Sequence, residues 1–307
     1  MQQRDLLNTE DFNDLFDKAK KEIHEITSIK DLLLPAIKMI DSPEKSIGIL
    51  SGIDSIDKIN NGWKDGDVTF IGGAVEMDSI GFASTLLLHP VFNDNKTIGY
   101  FSSNANSQNF IGNLCSTYAG MFNSTFKSAI QELSTAPIHL DCRTHISIDD
   151  LKHQIYVQKR TFDVDMIIID NIDYVSCGNS LLSKEQCEGK IIKSLKEIAY
   201  YFKIPIIVLK SIDDMGSMDR YEVEDAIFHF ELEIYSDTII FLTQNDSSQS
   251  RWFELRFIKH KNNRVSTEEI RYVKEFSYFV GSDPDYYKKP IVCDYEGYVL
   301  DESPVPF

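Results

Sequence analysis

The stretch Gly66–Ala83, GDVTFIGGAVEMDSIGFA, constrains this chain more than any other. Val68, Phe70 and Ile71 predict a strand that closes on Gly72 and Gly73. Ile80, Phe82, Ala83, Leu86 and Leu87 then recur at helical spacing on one apolar face. Strand, glycine turn, helix is the geometry in which backbone N–H groups and a helix N-terminus hold phosphate, written G-x-x-x-x-G-K-[ST] when a nucleotide is bound. Counted from Gly73, the positions that should read Gly, Lys and Ser/Thr read Asp78, Ser79 and Ile80. The frame is present and its chemistry is replaced.

Around this stretch, strand-like and helix-like segments alternate, which predicts a parallel α/β sheet. The strand candidates are Val68–Ile71, Thr97–Ser102, Ile138–Asp141, Met166–Asp170, Pro205–Lys210 and Thr238–Thr243. Helical patterns cover Asn109–Met121, Ile148–Lys159 and Ser183–Phe202. Trp252–His260, Glu268–Val273 and Phe276–Val280 read as short antiparallel strands, and the Tyr- and Pro-rich segment after Gly281 as irregular. Ahead of the sheet, Phe12, Leu15, Phe16, Ala19, Ile23 and Ile26 line one face of an amphipathic helix. A second helix starts at Ser28, where Ser28 and Asp31 stand at capping-box spacing, and Asp41–Ser46 reads as a linker. The expected organisation is an arm over residues 1–45, a domain over 46–280 and an extension over 281–307.

With 42% apolar residues the chain is that of a globular protein, and no apolar run reaches membrane-spanning length. The start, MQQRDLLNTEDF, has no basic region followed by an apolar core, so a cytoplasmic location without a membrane partner is expected. Five cysteines without paired spacing predict reduced thiols. A formal charge of −17 opposes broad adhesion to nucleic acid, leaving room only for a local basic groove.

The segment GILSGIDSIDKINNGWKDGDVTFIGG, Gly48 to Gly73, resembles the lead into the P-loop of the C-terminal motor domain of DnaB-type replicative helicases. Gly52, Asp57, Gly62, Gly66 and Asp67 stand where that pattern places them. MIIIDNIDYVS is similar to the family's Walker B strand, and KEIAYYFKIPIIVLKSID to its next helix and strand. YSDTIIFL and ELRFIKHKNNRVSTEEIRYV resemble its last core strands and the loop with its trans-acting cations. The resemblance implies a RecA-like P-loop NTPase fold: an α/β domain with a mostly parallel central sheet flanked by helices, antiparallel C-terminal strands and an N-terminal helical arm. It also implies that the arm corresponds to a linker helix that packs on a neighbouring subunit.

Residue by residue, the resemblance places the degenerate P-loop at Gly73, Glu76, Met77, Asp78, Ser79 and Ile80. The family's lysine screens phosphate and its Ser/Thr holds Mg²⁺; Ser79 has no charge, Ile80 no oxygen, and Asp78 and Glu76 are acids. One charge about 4 Å away is worth roughly 4 kcal/mol at an effective dielectric of about 20, so exchanging a cation for anions opposes triphosphate binding. Asp170 stands at the Walker B carboxylate, Asn104 at the water-polarising acid and Ser211 at the polar sensor. Lys259 matches the trans-acting lysine. Lys261 replaces an arginine finger, keeping charge without the planar fork. The expectation is a helicase-like protein without ATP hydrolysis, and hence without a cofactor, that serves as a binding or assembly component. Its partners would be itself or a replicative helicase subunit, engaged through the arm. Two alternatives stay open: an active ATP-dependent helicase, using ATP and Mg²⁺ with Lys259 or another cation in the P-loop role, and a monomeric adaptor using Tyr286–Tyr298. Lys259, His260, Lys261 and Arg264 can equally form a solvated turn. No metal is expected, although His139, Cys142 and His145 recur at three-residue spacing.

Overall fold

A computed structural model describes residues 47–74, 78–102, 107–178, 181–212, 230–244, 251–261, 266–283 and 286–288. The expected arm over 1–45, and Glu76, Met77, Asn104, Arg264 and the chain beyond 288, lie outside the described residues. The helices are α1 (Asp54–Asn60), α2 (Ser79–Asn93), α3 (Ser107–Met121), α4 (Phe126–Leu133), α5 (Ile148–Phe162), α6 (Lys184–Phe202) and α7 (Phe230–Tyr235). The strands are β1 (Val68–Ala74), β2 (Ile98–Ser102), β3 (Ile138–Asp141), β4 (Ile146–Ser147), β5 (Met166–Asp170), β6 (Val175–Ser176), β7 (Ile206–Ile212), β8 (Thr238–Gln244), β9 (Trp252–His260), β10 (Thr267–Val273) and β11 (Tyr278–Val280).

Nine strands form one sheet in the order β11-β10-β9-β8-β1-β7-β5-β2-β3. Pairings from β3 across to β8 are parallel, and β8 to β11 are antiparallel. The parallel strands read as unbroken apolar runs because both faces are covered. In β5, Ile167 and Ile169 join a core with α5 and α6, whereas Met166 and Ile168 join a core with α2 and α3. Strand β7 divides in the same way, with Ile206 and Val208 on one side and Ile207 and Leu209 on the other.

Helix α2 was expected to bury one apolar face. It is buried on every side from Gly81 to Val91, because the β10–β11 hairpin folds back over it. Phe279 packs edge-on against Phe82 at 5.2 Å, and its backbone N–H donates to the Thr85 hydroxyl. A Cβ at Gly81 would sit 2.5 Å from the Ser277 carbonyl oxygen, so a side chain there would push the hairpin away.

Residues 286–288, within the segment read as irregular, form a 3₁₀ turn seated on α1. The Tyr287 hydroxyl donates to Asp57, Lys58 lies over the Tyr286 ring, and the Asp283 N–H donates to Asp54 at 3.1 Å. The expectation of five reduced thiols is corrected at one pair: Cys177 and Cys187 form a disulfide with Cα atoms 5.4 Å apart. The chain leaves β6 at Ser176 and doubles back into α6 at Lys184, which brings together sulfurs whose spacing carried no pairing signal.

Candidate functional site

In an open α/β sheet, ligands bind beyond the C-terminal ends of the parallel strands. At that edge Gly73 is registered against Ser211 of β7, and Asp170 against Leu209 of β7 and Ser102 of β2. Gly73, Ser79, Asp170, Lys210 and Ser211 therefore surround one cavity, of about 10 Å³. A single water needs about 10–15 Å³.

Asp78 caps α2. Its carboxylate accepts the Gly81 N–H at 2.9 Å and the Tyr272 hydroxyl at 2.7 Å. The N–H that opens the helix thus points at an anion the chain itself supplies. Burial and the neighbouring Asp78 carboxylate push the Tyr272 hydroxyl up to about 12, so it remains a donor.

Asp170 is buried and accepts the Tyr100 hydroxyl at 2.7 Å. Burial pushes its carboxyl up to about 6, against the lowering effect of that hydrogen bond. Lys210, unremarked in the sequence, meets both carboxylate oxygens of Glu188 on α6 at 2.6 and 2.7 Å. Both side chains are about nine-tenths buried. The signal available was a lysine ending the otherwise apolar run PIIVLK.

Lys259 and Lys261, which the resemblance matches to trans-acting cations, are engaged within their own chain. The Lys259 ammonium donates to the carbonyls of Glu233 and Ser236, closing the C-terminal end of α7, and burial lowers its pKa. The Lys261 ammonium binds Asp67 at 2.5 Å. Burial raises the Asp67 carboxyl, and the Lys261 charge works against that rise. Lys184, Lys190 and Lys196 of α6 are likewise engaged, by Asp173, the Cys177 carbonyl and Asp237. The His139, Cys142 and His145 trio does not converge: His139 stacks on Phe162, and His145 lies near Tyr174. Among the described residues, no three His, Cys, Asp or Glu side chains are grouped to hold a metal.

Residues 48–281 match the family model described as the DnaB-like helicase C terminal domain. The chain belongs to this family. It is similar to the replicative DNA helicase DnaB of Geobacillus stearothermophilus, 22% identical over 87% of this chain and 66% of that protein. A replicative DNA helicase of Bacillus subtilis, DnaC, is 22% identical over 88% of this chain and 67% of its own length. The chain thus spans about two thirds of the length of these curated relatives. Among solved structures, one described as an ATPase domain superposes with a TM-score of 0.74 at 20% identity, covering 84% of this chain and all of that one. A DnaB-like replicative helicase described with its interactions with primase gives 0.71 at 18% identity, covering 84% and 68%. These likenesses establish the RecA-like fold, with its mostly parallel sheet and antiparallel C-terminal strands.

Within this DnaB-family domain, the positions that carried the resemblance hold the scaffold together. Asp57 accepts the N–H groups of Ser51 and Gly52 as well as the Tyr287 hydroxyl, and burial pushes its carboxyl up to about 7. Gly66 takes a φ of +81° in the turn before β1, a conformation glycine adopts without strain.

Proposed function

We propose that this DnaB-family protein does not hydrolyse ATP and acts as a binding or assembly component of a helicase-type complex in the cytoplasm. The observation that carries the reading is the Asp78 carboxylate, held by Gly81 and Tyr272 at the helix end where the family motif places phosphate. The residues present do not fit a magnesium-bound triphosphate. Ser79 offers no charge, Ile80 no metal ligand, and the cavity beside them has room for about one water.

The partners that follow are copies of this chain or subunits of a replicative helicase, engaged through the N-terminal arm. Helix α4 supports such contact by leaving Phe126 and Ile130 half exposed, an apolar strip suited to the arm's apolar face. A second reading, an active helicase with a substitute cation, draws on one observation: the Lys210 side chain lines the same cavity as Gly73 and Asp170.

Calorimetric titration with ATP and Mg²⁺, paired with a phosphate-release assay, separates the two. The proposal expects no heat at micromolar nucleotide and a flat release curve; DNA-stimulated release would establish the second reading. Asp78→Gly, Ser79→Lys and Ile80→Thr together return the motif letters, and a nucleotide-dependent rise in melting temperature is expected from that variant alone.

A further inference from the structure

We propose that Cys177 and Cys187 are a reversible redox pair, a thiol–disulfide switch that staples the end of β6 to the first turn of α6. The inference stands apart from the nucleotide reading and does not depend on it. Cys177 is 4% exposed at the end of β6. Cys187 is only partly buried and lines an open cavity of about 260 Å³ with Asp173, Leu182, Lys184 and Glu188. A small thiol therefore reaches one sulfur and not the other.

Access selects Cys187 for attack, and its surroundings favour its release in the second step. It lies in the first turn of a 19-residue helix, whose positive end stabilises thiolate, and its sulfur accepts the Cys177 N–H at 3.2 Å. Both flanks are also held without the sulfur bond. Lys190 donates to the Cys177 carbonyl at 3.0 Å, Ser183 and Gln186 form a capping box, and Lys184 pairs with Asp173 at 3.2 Å. Reduction consequently loosens the approach to α6 at Leu181 and Leu182 and leaves the two elements in place.

The exchange partner is a low-molecular-weight thiol of the glutathione class. Its thiolate attacks the Cys187 sulfur, the S–S bond breaks, and the electron pair leaves on the Cys177 sulfur, which takes a proton from water. A second thiolate attacks the external sulfur of the mixed disulfide, freeing Cys187 and forming the small-molecule disulfide. Two electrons pass from two thiols to the protein, and the reverse sequence oxidises the pair. Glu188, next in sequence to Cys187, is the residue that holds Lys210 at the closed cavity, so the staple acts one residue away from that ion pair.

The test equilibrates the full chain in glutathione and glutathione disulfide mixtures from fully reducing to fully oxidising, then quenches with acid, alkylates with maleimide after denaturation, and reads intact mass. Five cysteines should give a change from five adducts to three, with its midpoint inside the glutathione range. Chymotrypsin should cut after Leu181 or Leu182 at least about fivefold faster in the reduced protein. Cys177→Ser should trap one glutathione on Cys187, and Cys142→Ser should leave the transition unchanged. Three adducts in reduced glutathione alone would make the bond permanent, and five in the most oxidising mixture would mean that it does not form. Either result, or equal cleavage of the two states, overturns the proposal, and the wild-type mass titration decides even if a serine variant does not fold.

Discussion

Where the parallel strands end, polar side chains have closed on one another; where they begin, they face an open groove. At the C-terminal edge Asp78 is taken by Gly81 and Tyr272, Asp170 by Tyr100 and Lys210 by Glu188, around about 10 Å³ of space. At the N-terminal edge a groove of about 880 Å³ is lined by Lys64, Lys96, Lys159 and Lys203 with Asp94 and Asp165. The Lys96–Asp165 pair across it is 3.8 Å long, with both side chains about one-third exposed. The difference teaches that motif letters are only half of what shapes a site. The remaining groups at the customary ligand edge have found partners inside the chain, and those partners would have to be displaced before a ligand could enter.

The contrast can be broken or sharpened in order of effect. Phe82→Ala removes a fully buried ring from beneath the β10–β11 hairpin, and urea unfolding should register a loss of about 3–5 kcal/mol. Lys210→Ala strands a buried carboxylate and should cost about 3–5 kcal/mol, whereas Lys210→Met combined with Glu188→Leu should recover most of it. No recovery in the double variant would mean that the pair does more than fill the core.

The pH dependence of the melting temperature comes next. Asp57 and Asp170 have folded-state pKa values raised to about 7 and about 6 from 3.8. The folded state holds their protons more tightly, so their contribution to stability falls as pH rises from about 4 toward those values. His89, lowered from 6.5 to about 4 by burial, takes up protons more readily when unfolded, so its contribution rises over about pH 4–6.5. The slopes oppose one another. His89→Phe should leave a stability that falls with pH across this window, and Asp57→Asn should tilt the profile the other way; parallel profiles for wild type and both variants would refute the assignment. Tyr272→Phe removes one donor from the partly exposed Asp78 and should cost about 1 kcal/mol. At the opposite edge Lys96→Ala should change stability by at most about 1 kcal/mol, and less at high salt.

Much of the sheet was legible because strands covered on both faces must be apolar throughout, as MIIID and PIIVL are. Helix α1 was not. It has seven residues and no side-chain cap, and Ile53, Ile56 and Ile59 alternate with buried Asp54, Ser55, Asp57 and Asn60, so its apolar stripe is short and interrupted. Helix α4 lay between recognised segments and points Phe126 and Ile130 outward. At the site, Asp78, Ser79 and Ile80 could be read from spacing alone. Their consequences could not: Asp78 and Tyr272 are 194 residues apart, and Lys210 meets Glu188 across two elements. Only tertiary structure reports that the helix end is met by an anion from the chain itself.

The 3₁₀ turn at Tyr286 and the first helix of the domain share one hydrogen-bonded cluster, which fixes where both ends of the domain leave it. Ser51 and Gly52 donate to the same Asp57 that Tyr287 grips, and the Tyr287 ring lies 4.8 Å from His89. Ser51 and Gly52 near the start of the described domain and Tyr287 at its end are therefore held by a single carboxylate. Removing that one carboxylate unties both at once.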